Sequence, residues 1–205
     1  MAIVINGSGT VTGISVGGLP DGIVDAGTLA TDSVDSAELI DGAIDTAHIA
    51  TDQITSAILP AGSILQVKYA AITTDLSTTS STFQSLSESC SITPTASNSK
   101  ILILINIHSY TSNHAVPNWT TANYKVLRDT TEVANSDDGS ADYGWGTYHA
   151  TALVREMSYV SKHFIDAPGD TSAHTYYVQV HSRFGYDILF NSYGDSSIIL
   201  MEVAV

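Results

Sequence analysis

Aliphatic residues recur at every fifth position through the first third of the chain: Ile14, Leu19, Val24, Leu29, Val34, Leu39, Ile44, Ile49, Ile54 and Leu59. A period of five is not helical, because at about 100° per residue such positions spiral around a helix instead of lining one face. Nor is it a strand period, since an odd spacing sends successive side chains to opposite faces. It belongs to a chain that climbs by wrapping, on itself or around sister chains. Each rung adds one aliphatic side chain and cannot bury a core of its own, so rungs must stack to be stable. The segment also reads in tens, ATDSVDSAEL, IDGAIDTAHI and ATDQITSAIL. Ser or Thr followed by Ala recurs at 36–37, 46–47 and 56–57, as at the start of a turn. Small residues or Asp stand two places before the ladder aliphatics from Gly27 to Ala57, which lets neighbouring backbones approach closely. A pentapeptide solenoid would reach only about two and a half coils, short of the roughly three repeats such folds need. Three chains wrapped about a threefold axis are the expected arrangement.

Beyond Pro60-Ala61-Gly62 the pattern changes to the alternation of strands. Strands are expected at Ile64–Ala71, Phe83–Thr93, Lys100–Tyr110, Tyr124–Arg128, Thr131–Ala134, Ala150–Asp166, Thr175–Arg183, Asp187–Asn191 and Ser197–Val205. Asp137-Asp138-Gly139, Pro168-Gly169-Asp170 and Tyr193-Gly194-Asp195 mark turns. Many short strands with frequent turns predict a β-sandwich or jelly roll. The fold class expected is therefore all-β: a repeat-containing trimeric fibrous stalk over 21–60, then a C-terminal β-sandwich (jelly-roll) head over 61–205. Two strands ask for more than a sandwich supplies. ILILINI at 101–107 and IILMEVAV at 198–205 are apolar on both faces, and a sandwich covers only one. Sister subunits would supply the second cover. Glu202, out of phase with Met201 and Val203, reads as an edge or intersubunit charge.

Composition sharpens the division. Residues 1–60 contain no aromatic and no Lys or Arg, but eight Asp or Glu and eight of the fifteen Gly. A stretch without aromatics cannot fill a compact core. The net charge of −14 disfavours nucleic acid and anionic membrane surfaces as partners. The longest aliphatic run is too short to span a bilayer, and the N-terminus lacks the pattern of a signal peptide. Cys90 stands alone in an alternating stretch and reads as a small buried hydrophobe.

No phosphate loop, nucleophile elbow, His-Glu-x-x-His or Cys-x-x-Cys occurs. No catalytic residue, cofactor or metal ligand is assigned. The recurring Asp25, Asp35 and Asp45 read as a solvated rim rather than cation-binding rings. His108 and His181, which could approach one another or meet on a threefold axis as a metal-binding ring, read instead as ordinary polar strand-end residues. The candidate contact surface lies in the loops 109–123 and 135–148. There Tyr110, Trp119, Tyr143, Trp145 and Tyr148 stand among Asn, Asp and Ser. Aromatic faces flanked by hydrogen-bonding groups suit sugar rings and protein hot spots alike.

NGSGTVTGISVGGLP followed by repeats of the DSAELIDGAIDTAHIATDQITSA kind resembles the N-terminal and shaft regions of tail-fibre-type proteins of marine bacteriophages. HFIDAPGDTSAHTYYVQVHS and the closing SSIILMEV resemble the heads of such fibres, which are similar to the trimeric jelly roll of complement and tumour necrosis factor proteins. The resemblance implies a homotrimeric virion fibre assembled in the host cytoplasm. Residues 1–20 would attach to other virion proteins, and the head would recognise a host-surface glycan or protein by binding, not catalysis. Two alternatives stand beside it: a structural capsid or collar decoration fibre, suited to so short a shaft, and a glycan-cleaving tailspike-type enzyme.

Overall fold

In a computed structural model of the chain, the described residues are 44–45, 47–50, 53–55, 58–111, 120–136, 147–149 and 156–205. The expected anchor at 1–20, most of the repeat segment, and Trp119, Tyr143 and Trp145 lie outside them. The chain divides into two units, Met1–Gln53 and Ile54–Val205.

In the first unit the described pentads each hold a turn. The His48 N–H donates to the Asp45 carbonyl at 3.0 Å, and the Gln53 N–H to Ala50 at 3.2 Å. The Asp45 carboxylate accepts the Ala47 N–H at 2.8 Å, a local bond that Asp favours at a turn. The second unit opens with the same turn five residues on, the Ile58 N–H donating to Thr55 at 3.0 Å. Ladder aliphatics flank these turns and remain uncovered: Ile44, Ile49 and Ile54 are 51, 39 and 51% exposed.

The rest of the second unit is a sandwich of two antiparallel sheets. Its strands are β1 (Ile64–Ile72), β2 (Leu76–Thr78), β3 (Gln84–Ile92), β4 (Lys100–Thr111), β5 (Thr120–Arg128), β6 (Thr131–Asn135), β7 (Thr147–His149), β8 (Glu156–Asp166), β9 (His174–Ser182), β10 (Ile188–Phe190) and β11 (Ser196–Val203). Pairings nest: β1 with β11, β3 with β9, β4 with β8, and β5 with β6. One long hairpin folded over itself gives this arrangement, which is the jelly-roll pattern. The first sheet runs β1-β11-β4-β10-β2 with β8 on the other side of β4; the second runs β3-β9-β5-β6 with β7 on β5.

Alternation along each strand builds the core. Ile101, Ile103, Ile105 and Ile107 of β4 and Ile198 and Leu200 of β11 meet Tyr124, Val126, Tyr176, Val178 and Val180 of the second sheet. Tyr124 and Phe190 touch edge to face across the layers, their ring centres 5.9 Å apart. Arg128, Asp166 and Tyr176 close one rim: Asp166, on the first sheet, accepts from the Arg128 guanidinium and the Tyr176 hydroxyl of the second. Burial together with the bond to Asp166 pushes the Tyr176 phenol above its ordinary value.

The other face of the first sheet lies open. Its cross-strand rows are Val67–Met201–Leu102–Ile165, then Tyr69–Ile199–Leu104–His163, then Ala71–Ser197–Asn106–Ser161. Val67, Tyr69 and Ile165 are 54, 66 and 70% exposed. The doubly apolar strands expected at 101–107 and 198–205 are present, with one face in the core and the other, at Leu102, Leu104, Ile199 and Met201, only half-buried.

Glu202 requires a correction. It is fully buried on the core side, where its carboxylate accepts from Gln66 (2.6 Å) and from the Thr95 N–H and hydroxyl (2.6 and 2.8 Å). Burial alone would disfavour its charge, but those donors outweigh it and hold its carboxyl below the ordinary range. It anchors the last strand to the β3–β4 connection and faces away from the open side. The phase with Met201 was visible in the sequence; the donors, about a hundred residues away, were not.

Candidate binding site

A polar cavity of the head opens at the end of the first sheet opposite Ile64, where β1 gives way to Thr73–Asp75. Its other wall is the connection from β10 to β11, residues 191–195. The cleft is open to solvent, has a volume of about 700 Å³, and is lined by Tyr69, Tyr159, Tyr193, Asp75, Asn191 and Asp195, among others.

Local geometry fixes these side chains. Asn191 holds a positive φ of 65°, a conformation Asn tolerates better than most residues, and its N–H donates to the His108 carbonyl at 3.0 Å. That bond pins the 191–195 loop to β4. Gly194 then packs directly on the Tyr159 hydroxyl and the His108 ring; a Cβ there would stand 2.9 Å from the His108 ring carbons. Beneath, the His108 and Tyr159 rings meet edge to face at 4.9 Å, and Tyr193 lies edge-on to Tyr110 at 5.0 Å. Tyr69, Tyr159 and Tyr193 are 66, 55 and 65% exposed. The third row marks the boundary between cleft and open apolar face: Ser161 donates to Asn106, whose amide reaches the Asp195 carbonyl.

Two buried polar groups near the cleft lack hydrogen-bond partners among the described residues. His108 is fully buried with neither ring nitrogen bonded, and the buried Asn191 Oδ1 has no donor. Burial pushes the His108 pKa below the ordinary imidazole value.

Of the aromatic residues expected to form the contact surface, Tyr110 is buried at the end of β4 and touches the cleft through Tyr193. Tyr148 lies on β7, opposite Thr121 of β5. Trp119, Tyr143 and Trp145 lie outside the described residues. His108 and His181 do not approach one another. His108 is on the outward side of the first sheet, in register with Tyr159, whereas His181 is on the second sheet opposite Asn123 and packs on Phe83. Among the described residues no group of three His, Cys, Asp or Glu is placed to hold a metal ion. The sequence marked Tyr193-Gly194-Asp195 only as a turn; the tyrosine inside that turn was the available signal for the cleft.

A second polar cluster surrounds the β5–β6 turn. The His174 ring lies between two carboxylates, Nδ1 2.8 Å from Asp129 and Nε2 3.1 Å from Asp170. The contact with His174 lowers the Asp129 pKa, and the Ser172 N–H lowers that of Asp170. Asp129 also accepts the Thr175 N–H at 2.9 Å and holds a positive φ of 53°. Asp129 fastens the β5–β6 turn to β9, while Asp170 also accepts the Ser172 N–H within the β8–β9 connection.

No family model matches the chain, and no curated protein matches it. Similar solved structures include the CBM22-1 xylan-binding domain from Paenibacillus barcinonensis Xyn10C. It is 13% identical, with 72% of this chain and 99% of that one covered, at a TM-score of 0.23. A chain from a marine algae virus of the order Picornavirales is 14% identical, with 100% of this chain and 88% of that one covered, at a TM-score of 0.18. Likenesses at these scores carry no argument about what the chain does.

Proposed function

We propose that the chain is a homotrimeric virion fibre whose β-sandwich head attaches to a host surface by binding. The observation that carries this reading is the open face of the first sheet. Its two apolar rows, from Val67 to Ile165 and from Tyr69 through Ile199 and Leu104, form a continuous patch with the more polar Ala71–Ser197–Asn106–Ser161 row along one side. Contiguous exposed apolar surface of this kind marks an interaction site. A second uncovered apolar series, the ladder at Ile44, Ile49 and Ile54, leads toward the head along the sequence. Threefold association covers both with one operation, each chain presenting the same surfaces to its neighbours. The pentad repeats and the resemblance to phage fibres supply the rest of the reading: residues 1–20 attach to the virion, 21–60 form the stalk, and the head faces the host.

The solution mass of the full-length protein tests the assembly. Three chains of 21.6 kDa give about 65 kDa, and a mass of one chain would sink the reading. Attachment is tested separately, by whether the purified protein binds host cells and competes with virions for adsorption. A trimer that neither binds nor competes would be a decoration fibre.

A further inference from the structure

We infer that the cleft between the β1–β2 and β10–β11 connections is a binding site for an uncharged saccharide. The cavity, about 700 Å³, lies in the size range of small-molecule sites, roughly 300–1,000 Å³. Three well-exposed tyrosines, Tyr69, Tyr159 and Tyr193, stand around it. Tyrosine presents an apolar ring with a polar tip, which suits a ligand with C–H faces and hydroxyl edges. Between the rings the wall is mainly polar, with a hydroxyl from Ser192, an amide from Asn191 and carboxylates from Asp75 and Asp195 beside the apolar Ala71 and Ile72.

The balance of donors and acceptors narrows the ligand class. Ionised carboxylates only accept hydrogen bonds, and two of them, Asp75 and Asp195, line the cleft. The site therefore asks for a ligand rich in hydroxyl donors. Among the described residues no Lys or Arg lines the cleft, so sialylated, uronic-acid or phosphorylated ligands would meet its two carboxylates without a described cation to offset them. A quaternary ammonium could be drawn to tyrosine faces and carboxylates. The polar groups spread between the rings favour a polyol over a compact cation, because they offer bonds in several directions instead of a closed aromatic cage.

The site is also held rigid before any ligand arrives. Asn191 sits in a left-handed backbone conformation pinned to His108, and Gly194 lets the loop close against Tyr159. Backbone conformations of this kind in non-glycine residues concentrate at binding sites. Tyr69 belongs both to the cleft and to the second apolar row, whereas Tyr159, Tyr193, Asp75 and Asp195 lie beyond the Ala71–Ser197–Asn106–Ser161 row. The inference does not rest on the trimer.

The test titrates the full-length protein, by calorimetry and saturation-transfer NMR, with maltohexaose, cellohexaose, laminarihexaose and a mannohexaose. Hexagalacturonate and choline chloride serve as charged probes, and the solution mass is measured on the same sample. The expected result is binding of at least one neutral oligosaccharide and neither charged probe. Tyr193→Ala and Asp195→Asn should each weaken that binding tenfold or more, with mass and circular dichroism unchanged. Binding of no neutral oligosaccharide overturns the inference, as does a preference for choline or hexagalacturonate, or affinity that neither substitution alters. A monomer that binds sugar would remove the fibre reading and keep this one; a trimer that binds none would do the reverse.

Discussion

Single residues in this head act by tying together segments distant in sequence, and Glu88 shows the principle most directly. From β3 it accepts the Thr73 hydroxyl at 3.0 Å, the Thr74 N–H at 3.0 Å and the Thr74 hydroxyl at 2.7 Å. Partial burial works against its charge, but the donors from Thr74, Ser87 and Thr73 prevail and hold its carboxyl down at about 2. A carboxyl held low in the fold contributes its full stability above the ordinary value of 4.5, and that contribution fades as pH falls toward about 2. Glu88→Gln should therefore lower stability at pH 7 by about 1 kcal/mol. Denaturant titrations across pH 2 to 5 should show a shallower acid limb than in the parent; an unchanged limb would exclude this role. Gly194 makes the opposite case, a residue needed for what it lacks. Gly194→Ala forces the buried His108 ring aside and should cost about 1–3 kcal/mol, read as a fall in melting temperature. Adding Tyr159→Phe removes the nearest clashing atom but not the His108 contact, so recovery should be partial.

Strands carry two separate messages, and β4 holds both. Ile103 is fully buried between the sheets, while its neighbour Leu104 points to the open face and is only partly covered. Ile103→Ala should destabilise the head by about 2–5 kcal/mol at any protein concentration. Leu104→Ser should leave the fold of the isolated chain nearly unchanged and weaken its association, seen as a lower mass on dilution. Equal effects on stability from both changes would mean that the open face is packed in some other way. The two-sided run at 101–107 was legible in the sequence because nothing about it depends on distant residues. So were the nine expected strands: each overlaps a strand of the head, the first part of Ala150–Asp166 lying outside the described residues. β2 went unseen, since three residues with one Leu make no pattern; β7, also three residues long, lies inside a loop read for its aromatics. The cleft was illegible for a different reason. Tyr69, Tyr159 and Tyr193 are scattered over 125 positions, and only the pairing of β1 with β11 and β4 with β8 gathers them. Glu202 was misread on the same ground: local phase reveals which side chains share a face, but not what waits on the other sheet.

At the scale of the molecule the question is whether two exposed apolar surfaces serve one assembly. Ile165, 70% exposed, closes the row that begins at Val67. In a monomer, replacing so exposed a side chain changes stability by no more than about 0.5 kcal/mol. In a trimer it places a charge in each subunit contact, and the desolvation falls on all three copies. The discriminating observable is the dependence of melting temperature on protein concentration. Association that favours the folded state raises the melting temperature as the protein is concentrated, while a monomer melts at one temperature throughout. The parent protein should show such a slope across a hundredfold range. Ile165→Asp should flatten it and lower the melting temperature most at high concentration, where association contributes most. Replacing the ladder residues Ile49 and Ile54 with Ser should flatten the slope by a different route, leaving the head's surface intact. If both sets of changes act on the same slope, the ladder and the sheet face belong to a single threefold assembly. If only the sheet-face change acts, the head associates by itself and the pentads must find their cover elsewhere.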